Sequence, residues 1–106
     1  MMKEIIDKLI NFRDDRNWKQ FHTPENLSKS IVLEAAELLE NFQWGTMNED
    51  KNNIKEEIAD IVSYCLLLCD HYEFDIKKII SEKIERNELK YPVDKSFGKS
   101  DKYTKL

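Results

Sequence analysis

Four carboxylates stand out by type and spacing: Glu34 and Glu37 in "LEAAELLENFQW", residues 33 to 44, and Glu57 and Asp60 in "EEIAD", residues 56 to 60. Members of each pair are three positions apart. In a helix such residues share a face, where like charges repel by roughly 0.2–0.5 kcal/mol. Glu40 continues the first series. An ionised carboxylate held away from water is costly, and clustered carboxylates rise in pKa until some protonate, unless a cation supplies the opposite charge. An E-x-x-E on one helix facing an E-x-x-D on the next is therefore an all-oxygen site for a hard divalent ion. Mg²⁺ is the first choice and Mn²⁺ a substitute, and Mg²⁺ characteristically keeps some waters and recruits phosphate oxygens. The chemistry implied is that of phosphate esters or phosphoanhydrides.

Other readings of these acids compete. Solvated helical acids are usually paired with lysines, but the Glu34 segment has no basic residue after Lys29 and the Glu57 segment none after Lys55. A di-iron carboxylate bundle needs Glu-x-x-His, and neither His22 nor His71 stands three after a glutamate. Gly45 and Gly98 are the only glycines, which removes a glycine-rich phosphate loop. Cys65 and Cys69, four apart on a helix, suit two buried thiols better than a disulfide, and four zinc ligands cannot be assembled around them.

The acids have to be carried by helices. Apolar residues at 5, 6, 9, 10 and 12 predict a first helix over about 2 to 17. Thr23 as N-cap, Pro24 at the first position and Glu25 in the first turn predict a second over 24 to 42, stopped by Gly45. Asn48 can cap a third that runs to about 71, and Asp75 a fourth that ends near Lys90 ahead of Pro92. On the second helix Leu27, Ile31, Val32, Ala35, Ala36, Leu38, Leu39 and Phe42 form an apolar arc of about 180°, with Glu34 and Glu37 just outside its edge. The third is apolar around most of its circumference; Glu57, Asp60 and Tyr64 form a strip on it, with Asp60 partly desolvated. No segment alternates like a strand. The expected fold is all-α, an antiparallel four-helix bundle that oligomerises.

A chain of 106 residues suits a single domain over 1–106, with a helical body at about 2–90 and a basic tail at 91–106. The formal charge is −4, yet residues 1–89 carry twelve Lys and Arg against nineteen acids, while residues 90–106 carry five Lys against two. Such an acidic body argues against nucleic acid as a partner. The longest apolar run, "IVSYCLLLC", is too short to span a membrane, and the amphipathic N-terminus is unlike a signal sequence, so the expected location is cytoplasmic. Lys95, Lys99, Lys102 and Lys105 in the tail either reach the phosphates of a neighbouring site or form a solvated, mobile end, the second being the simpler reading.

Taken together, "EAAELLENFQW" followed by "EEIAD" resembles the MazG-like all-α nucleoside triphosphate pyrophosphohydrolases. The resemblance extends from about Phe12 to Tyr103, and "RNWKQFHTPENL", "NFQW" and the late "KYP" and "KYT" look like the dCTP pyrophosphatase branch. It implies hydrolysis of a nucleoside triphosphate, dCTP or a modified dCTP, to the monophosphate and pyrophosphate. It also implies Mg²⁺ as cofactor and a homo-oligomer with sites between subunits, a tetramer built as a dimer of dimers rather than a dimer. Carried over by position, the metal and catalytic residues are Glu34, Glu37, Glu57 and Asp60. Glu37 is the candidate to activate water, with Glu40 and Glu56 in reserve. The resemblance also places Trp18, His22, Trp44 and Tyr64 around the nucleotide, and Lys83 and Asn87 near the phosphates. Aromatic faces stack a base for ~1–3 kcal/mol, although Trp18, Trp44 or Tyr64 taken alone reads better as core packing and His22 alone as a helix-entry or surface residue. Ala36 departs from a glycine found in many relatives. Two alternatives stay open: a non-enzymatic helical interaction module, and a related hydrolase acting on phosphoribosyl-ATP or on other or damaged nucleotides.

Overall fold

Capping chemistry sets most of the helix boundaries. The computed structural model describes residues 2–45 and 49–106. Helix α1 (Met2–Asp15) stops two residues short of expectation, because Asn17 adopts a left-handed conformation (φ 54°) that a helix interior excludes. A 3₁₀ turn at Lys19–Phe21, not foreseen from the sequence, leads to α2 (Pro24–Glu40). There Thr23 Oγ1 accepts the Asn26 N–H at 3.1 Å, with Pro24 in the first turn, as predicted. The end of α2 comes earlier than Gly45: Asn41 follows it and donates its side-chain amide to the Leu38 carbonyl at 3.2 Å.

Asn48, the expected cap of the next helix, lies outside the described residues. Asp50 caps α3 (Lys51–Tyr72) by accepting from the N–H groups of Asn52 and Asn53, and Glu73 closes it in a left-handed conformation (φ 58°). Asp75 caps α4 (Ile76–Lys90), as read from the sequence. A short helix α5 (Val93–Ser96) and a 3₁₀ turn at Tyr103–Lys105 follow. The tail thus carries short helical turns, and its Lys95, Lys99, Lys102 and Lys105 are exposed to solvent. Tyr103 meets Tyr91 edge-on with centroids 6.0 Å apart, and the Lys90 ammonium lies 5.0 Å from the Tyr103 ring centre.

Among the described residues every regular element is helical, so the all-α class is correct. The chain divides into two compact units, Met1–Phe74 and Asp75–Leu106. In the first, α2 packs along α3 and α1 packs against α3. Three helices thus build its interior. No described helix is long and apolar enough to cross a membrane.

The α2–α3 contact buries a narrower stripe than the sequence suggests. Leu27 is 1 % exposed, and Ile31, Glu34 and Leu38, which follow it at i+4, i+7 and i+11, are partly buried. The rest of the expected apolar arc faces outward: Val32, Ala35, Ala36, Leu39 and Phe42 are exposed, Val32 and Leu39 at 68 % each. A helix packed mainly against one neighbour buries only a stripe of its surface, of roughly 100°. Glu34 consequently sits within the inward stripe instead of beside it. On α3, Leu66 and Leu67 are buried, and so is Glu57. Arg13, at 5 % exposed, fastens α1 to α3 by donating from Nη1 to Asp70 Oδ2 at 2.9 Å, while within α1 its Nε donates to Asp14 Oδ1 at 2.9 Å.

Candidate metal centre and adjoining cavity

The inward stripes of α2 and α3 bring Glu34 and Glu57 to one place, and Glu37, one turn after Glu34, joins them. Each offers a carboxylate oxygen, and these oxygens all lie within 4.8 Å of one another. Glu57 is buried, Glu34 partly buried and Glu37 exposed, so the cluster is open on one side. None of the ion pairs among the described residues engages these three acids. Oε2 of Glu34 and Oε2 of Glu57 are buried and accept no hydrogen bond from an N–H or O–H donor among the described residues.

That arrangement raises the pKa of Glu34 from 4.5 to about 7, chiefly through a hydrogen bond shared with Glu57, then through burial and the nearby Glu37. Buried polar atoms are normally satisfied, and converging anionic oxygens normally have a counter-charge. Among the described residues no cation and no N–H donor meets these two Oε2 atoms, while the atoms offered are hard oxygens. The cluster therefore fits a hard divalent cation.

Asp60 is not one of the three converging acids. It is exposed, contrary to the desolvation expected of it, and lines a neighbouring cavity of about 400 Å³ together with Trp18, His22, Ser63 and Tyr64. Tyr64 follows Glu57 at i+7 on the same face of α3. Burial first, then the negative charges of Glu34 and Asp60, lift its phenol above the ordinary value. Trp18 meets His22 edge-on at 6.4 Å and Phe12 at 5.6 Å, and keeps part of its ring exposed. Burial, and next the Arg13 charge, hold His22 below its ordinary value of 6.5, so the ring is neutral at pH 7; its Nδ1 is buried without a partner.

The remaining expected residues are placed elsewhere. Trp44 is 87 % exposed and lines a second cleft of about 340 Å³ with Glu37, Glu40, Asn41, Gly45 and Asn53, so within one chain it does not share the Trp18 cavity. Glu56 is exposed on α3. Lys83 and Asn87 lie one turn apart on α4 in the second unit, the lysine exposed and the asparagine partly buried.

Three site residues escaped the sequence reading. Arg13 was detectable in principle, since it stands at i+4 after Leu9 on the apolar stripe of α1, where a charge is out of place. Asn41 and Asn53 gave no such signal, because short polar residues at helix ends are commonplace.

A family model described as MazG-like matches residues 29–106. Over 114 residues the chain is 34 % identical to dCTP pyrophosphatase 1 of Mus musculus, an alignment covering 99 % of this chain and 67 % of that protein. It is 33 % identical to dCTP pyrophosphatase 1 of Homo sapiens with the same coverage. Among solved structures, a pyrophosphatase from Archaeoglobus fulgidus DSM 4304 shares 44 % identity and superposes with a TM-score of 0.80, over 86 % of this chain and 92 % of that one.

Proposed function

The chain belongs to the MazG-like family and is a nucleotide pyrophosphohydrolase, and we propose that it hydrolyses dCTP or a modified dCTP to the monophosphate and pyrophosphate in a Mg²⁺-dependent reaction. The observation that carries this reading is the convergence of Glu34, Glu37 and Glu57, whose carboxylate oxygens lie within 4.8 Å of one another. Asp60 and Tyr64 follow Glu57 at i+3 and i+7 on the same face of α3 and line the aromatic cavity, so a place for a base adjoins a place for a cation on triphosphate oxygens.

Glu34, Glu37 and Glu57 would hold the ion, with Asp60 contributing from the cavity side. When bound, Mg²⁺, or Mn²⁺ in its place, would neutralise phosphate charge and stabilise the charge that builds during an in-line displacement by water. Glu37, the exposed member at the open side of the cluster, is assigned to take the proton of the attacking water, with Glu40 and Glu56 behind it. Trp18 and Tyr64 offer faces for the base, and neutral His22 holds a ring nitrogen for its polar edge. Lys83 and Asn87 are assigned to the phosphates through the family resemblance.

Oligomerisation completes the reading. Val32 and Leu39 on one face of α2, and Ile58 and Val62 one turn apart on α3, leave large apolar side chains exposed, of a kind that marks subunit contact. A second copy packed there would supply the helices of the expected four-helix bundle, in a tetramer built as a dimer of dimers. Trp44, exposed and apart from the Trp18 cavity, would then serve a neighbouring subunit's nucleotide. The family match runs across the boundary of the two compact units, which supports a single functional domain. Two free cysteines fit a reducing compartment, and we assign the enzyme to the cytoplasm.

The test is pyrophosphate release, followed by chromatography, from dCTP, 5-methyl-dCTP, dUTP, oxidised dGTP and phosphoribosyl-ATP, with and without Mg²⁺. Release from the cytosine nucleotides only when Mg²⁺ is present is the expected result. Preference for another member of the panel would move the assignment to a different nucleotide. No release from any of them would favour a non-enzymatic interaction module.

A further inference from the structure

A chain of amide hydrogen bonds runs from the end of α2 through the first turn of α3 to the acid cluster. Asn41 donates through Nδ2 to the Leu38 carbonyl at 3.2 Å and to Asn53 Oδ1 at 2.9 Å. Asn53 donates through its own Nδ2 to Glu57 Oε1 at 3.5 Å. The backbone N–H of Asn53 is held as well, by Asp50 Oδ1 at 3.2 Å.

The direction of this chain is fixed by its first member. A carbonyl can only accept, so the NH₂ end of Asn41 must be the end that faces Leu38. Its second N–H then requires the carbonyl end of Asn53, and the NH₂ of Asn53 is left to face Glu57. Neither amide can flip without turning a donor onto a donor or an acceptor onto an acceptor.

The consequence falls on Glu57. Oε1 is taken by Asn53, whereas Oε2 is buried without a partner. A hydrogen bond of 3.5 Å is long, so it serves orientation more than energy. We infer that Asn53, oriented by Asn41, is a positioning residue for cation binding: it holds the Glu57 carboxylate so that one oxygen stays available to a divalent ion beside Glu34 and Glu37. This inference rests on the metal reading above and goes beyond it, because neither asparagine belongs to the acid motif. Outer partners that orient metal ligands typically account for 10–100-fold in affinity.

The experiment is titration of the full chain with Mn²⁺ alone, without nucleotide, reading free Mn²⁺ by electron paramagnetic resonance. Asn53→Ala should raise the Mn²⁺ Kd by about 10-fold or more, with the metal-free melting temperature little changed. Asn41→Leu should shift affinity in the same direction, since Asn53 is then free to flip. The Asn41→Leu/Asn53→Ala double variant should bind no more weakly than Asn53→Ala alone, as members of one relay do. A folded Asn53→Ala protein with wild-type Mn²⁺ affinity would overturn the relay while leaving the metal site standing; no Mn²⁺ uptake by the wild type would overturn both. Should Asn53→Ala fail to fold, side-chain amide NMR of the wild type decides. Added Mg²⁺ should shift the Asn53 and Asn41 signals and spare Asn26, whose amide donates to the Phe21 carbonyl. Unmoved Asn53 signals would end the proposal.

Discussion

Glu34 on α2 and Glu57 on α3 bring carboxylate oxygens within 4.8 Å of each other, and among the described residues no lysine or arginine pairs with either. Two acids on facing helices are thus held together by packing, against their own repulsion.

Stability of the metal-free protein should fall as pH rises. Glu34 has an ordinary value of 4.5 and a folded value of about 7, so its contribution is fully present below 4.5 and is lost as pH climbs through 7. Asp14, lowered chiefly by its hydrogen bond from Arg13, acts in the opposite sense at lower pH, so the comparison should be with Glu34→Gln. Melting curves in chelator at stepped pH should show a decline that Glu34→Gln flattens and Mg²⁺ largely removes. Identical pH profiles for the variant and the wild type would break this link.

Glu57→Gln should separate activity from stability. Loss of a ligand oxygen is expected to lower turnover by at least the ~100-fold upper range seen for outer-partner losses. The metal-free melting temperature should hold or rise, because repulsion with Glu34 is relieved. Asp60→Ala should also lose turnover but gain no heat stability, since Asp60 is exposed and not part of the close group. Pyrophosphate release and thermal melting on the same samples check both, and a fully active Glu57→Gln enzyme would remove that ligand from the site.

The Arg13–Asp70 pair should be structural. Asp70→Asn leaves a buried guanidinium with only Asp14 as anionic partner, a loss of about 1–3 kcal/mol in urea unfolding. Arg13→Met combined with Asp70→Leu should cost less than the sum of the two single changes, because no unpaired charge remains. Additive losses would show that the two residues act independently.

Leu39→Lys should test the apolar face of α2. Leu39 is exposed in the single chain, so a charge there costs the isolated fold little, yet it would be buried in an oligomer. Light scattering after size-exclusion chromatography should report a smaller species than the wild type, with activity falling in parallel. An unchanged assembly would exclude this face as the contact.

Sequence alone determined the local architecture: helical period, the Thr23–Pro24 start, the Asp75 cap and the E-x-x-E and E-x-x-D spacing all depend on residues within about one turn of each other. Boundaries failed where a backbone conformation intervened, as at Asn17, whose positive φ no nearby pattern announced. Tertiary structure decided which sector of α2 turns inward, and so moved Glu34 from the edge of an apolar arc into the packed stripe while leaving Val32 and Leu39 outside. It also joined Arg13 to Asp70 across 57 positions and ran the Asn41–Asn53 relay to Glu57. It set Asp60 and Trp44 on different cavities. Periodicity says that a helix has faces; only the neighbour packed against it selects the face, and residues distant in sequence meet only once that selection is made.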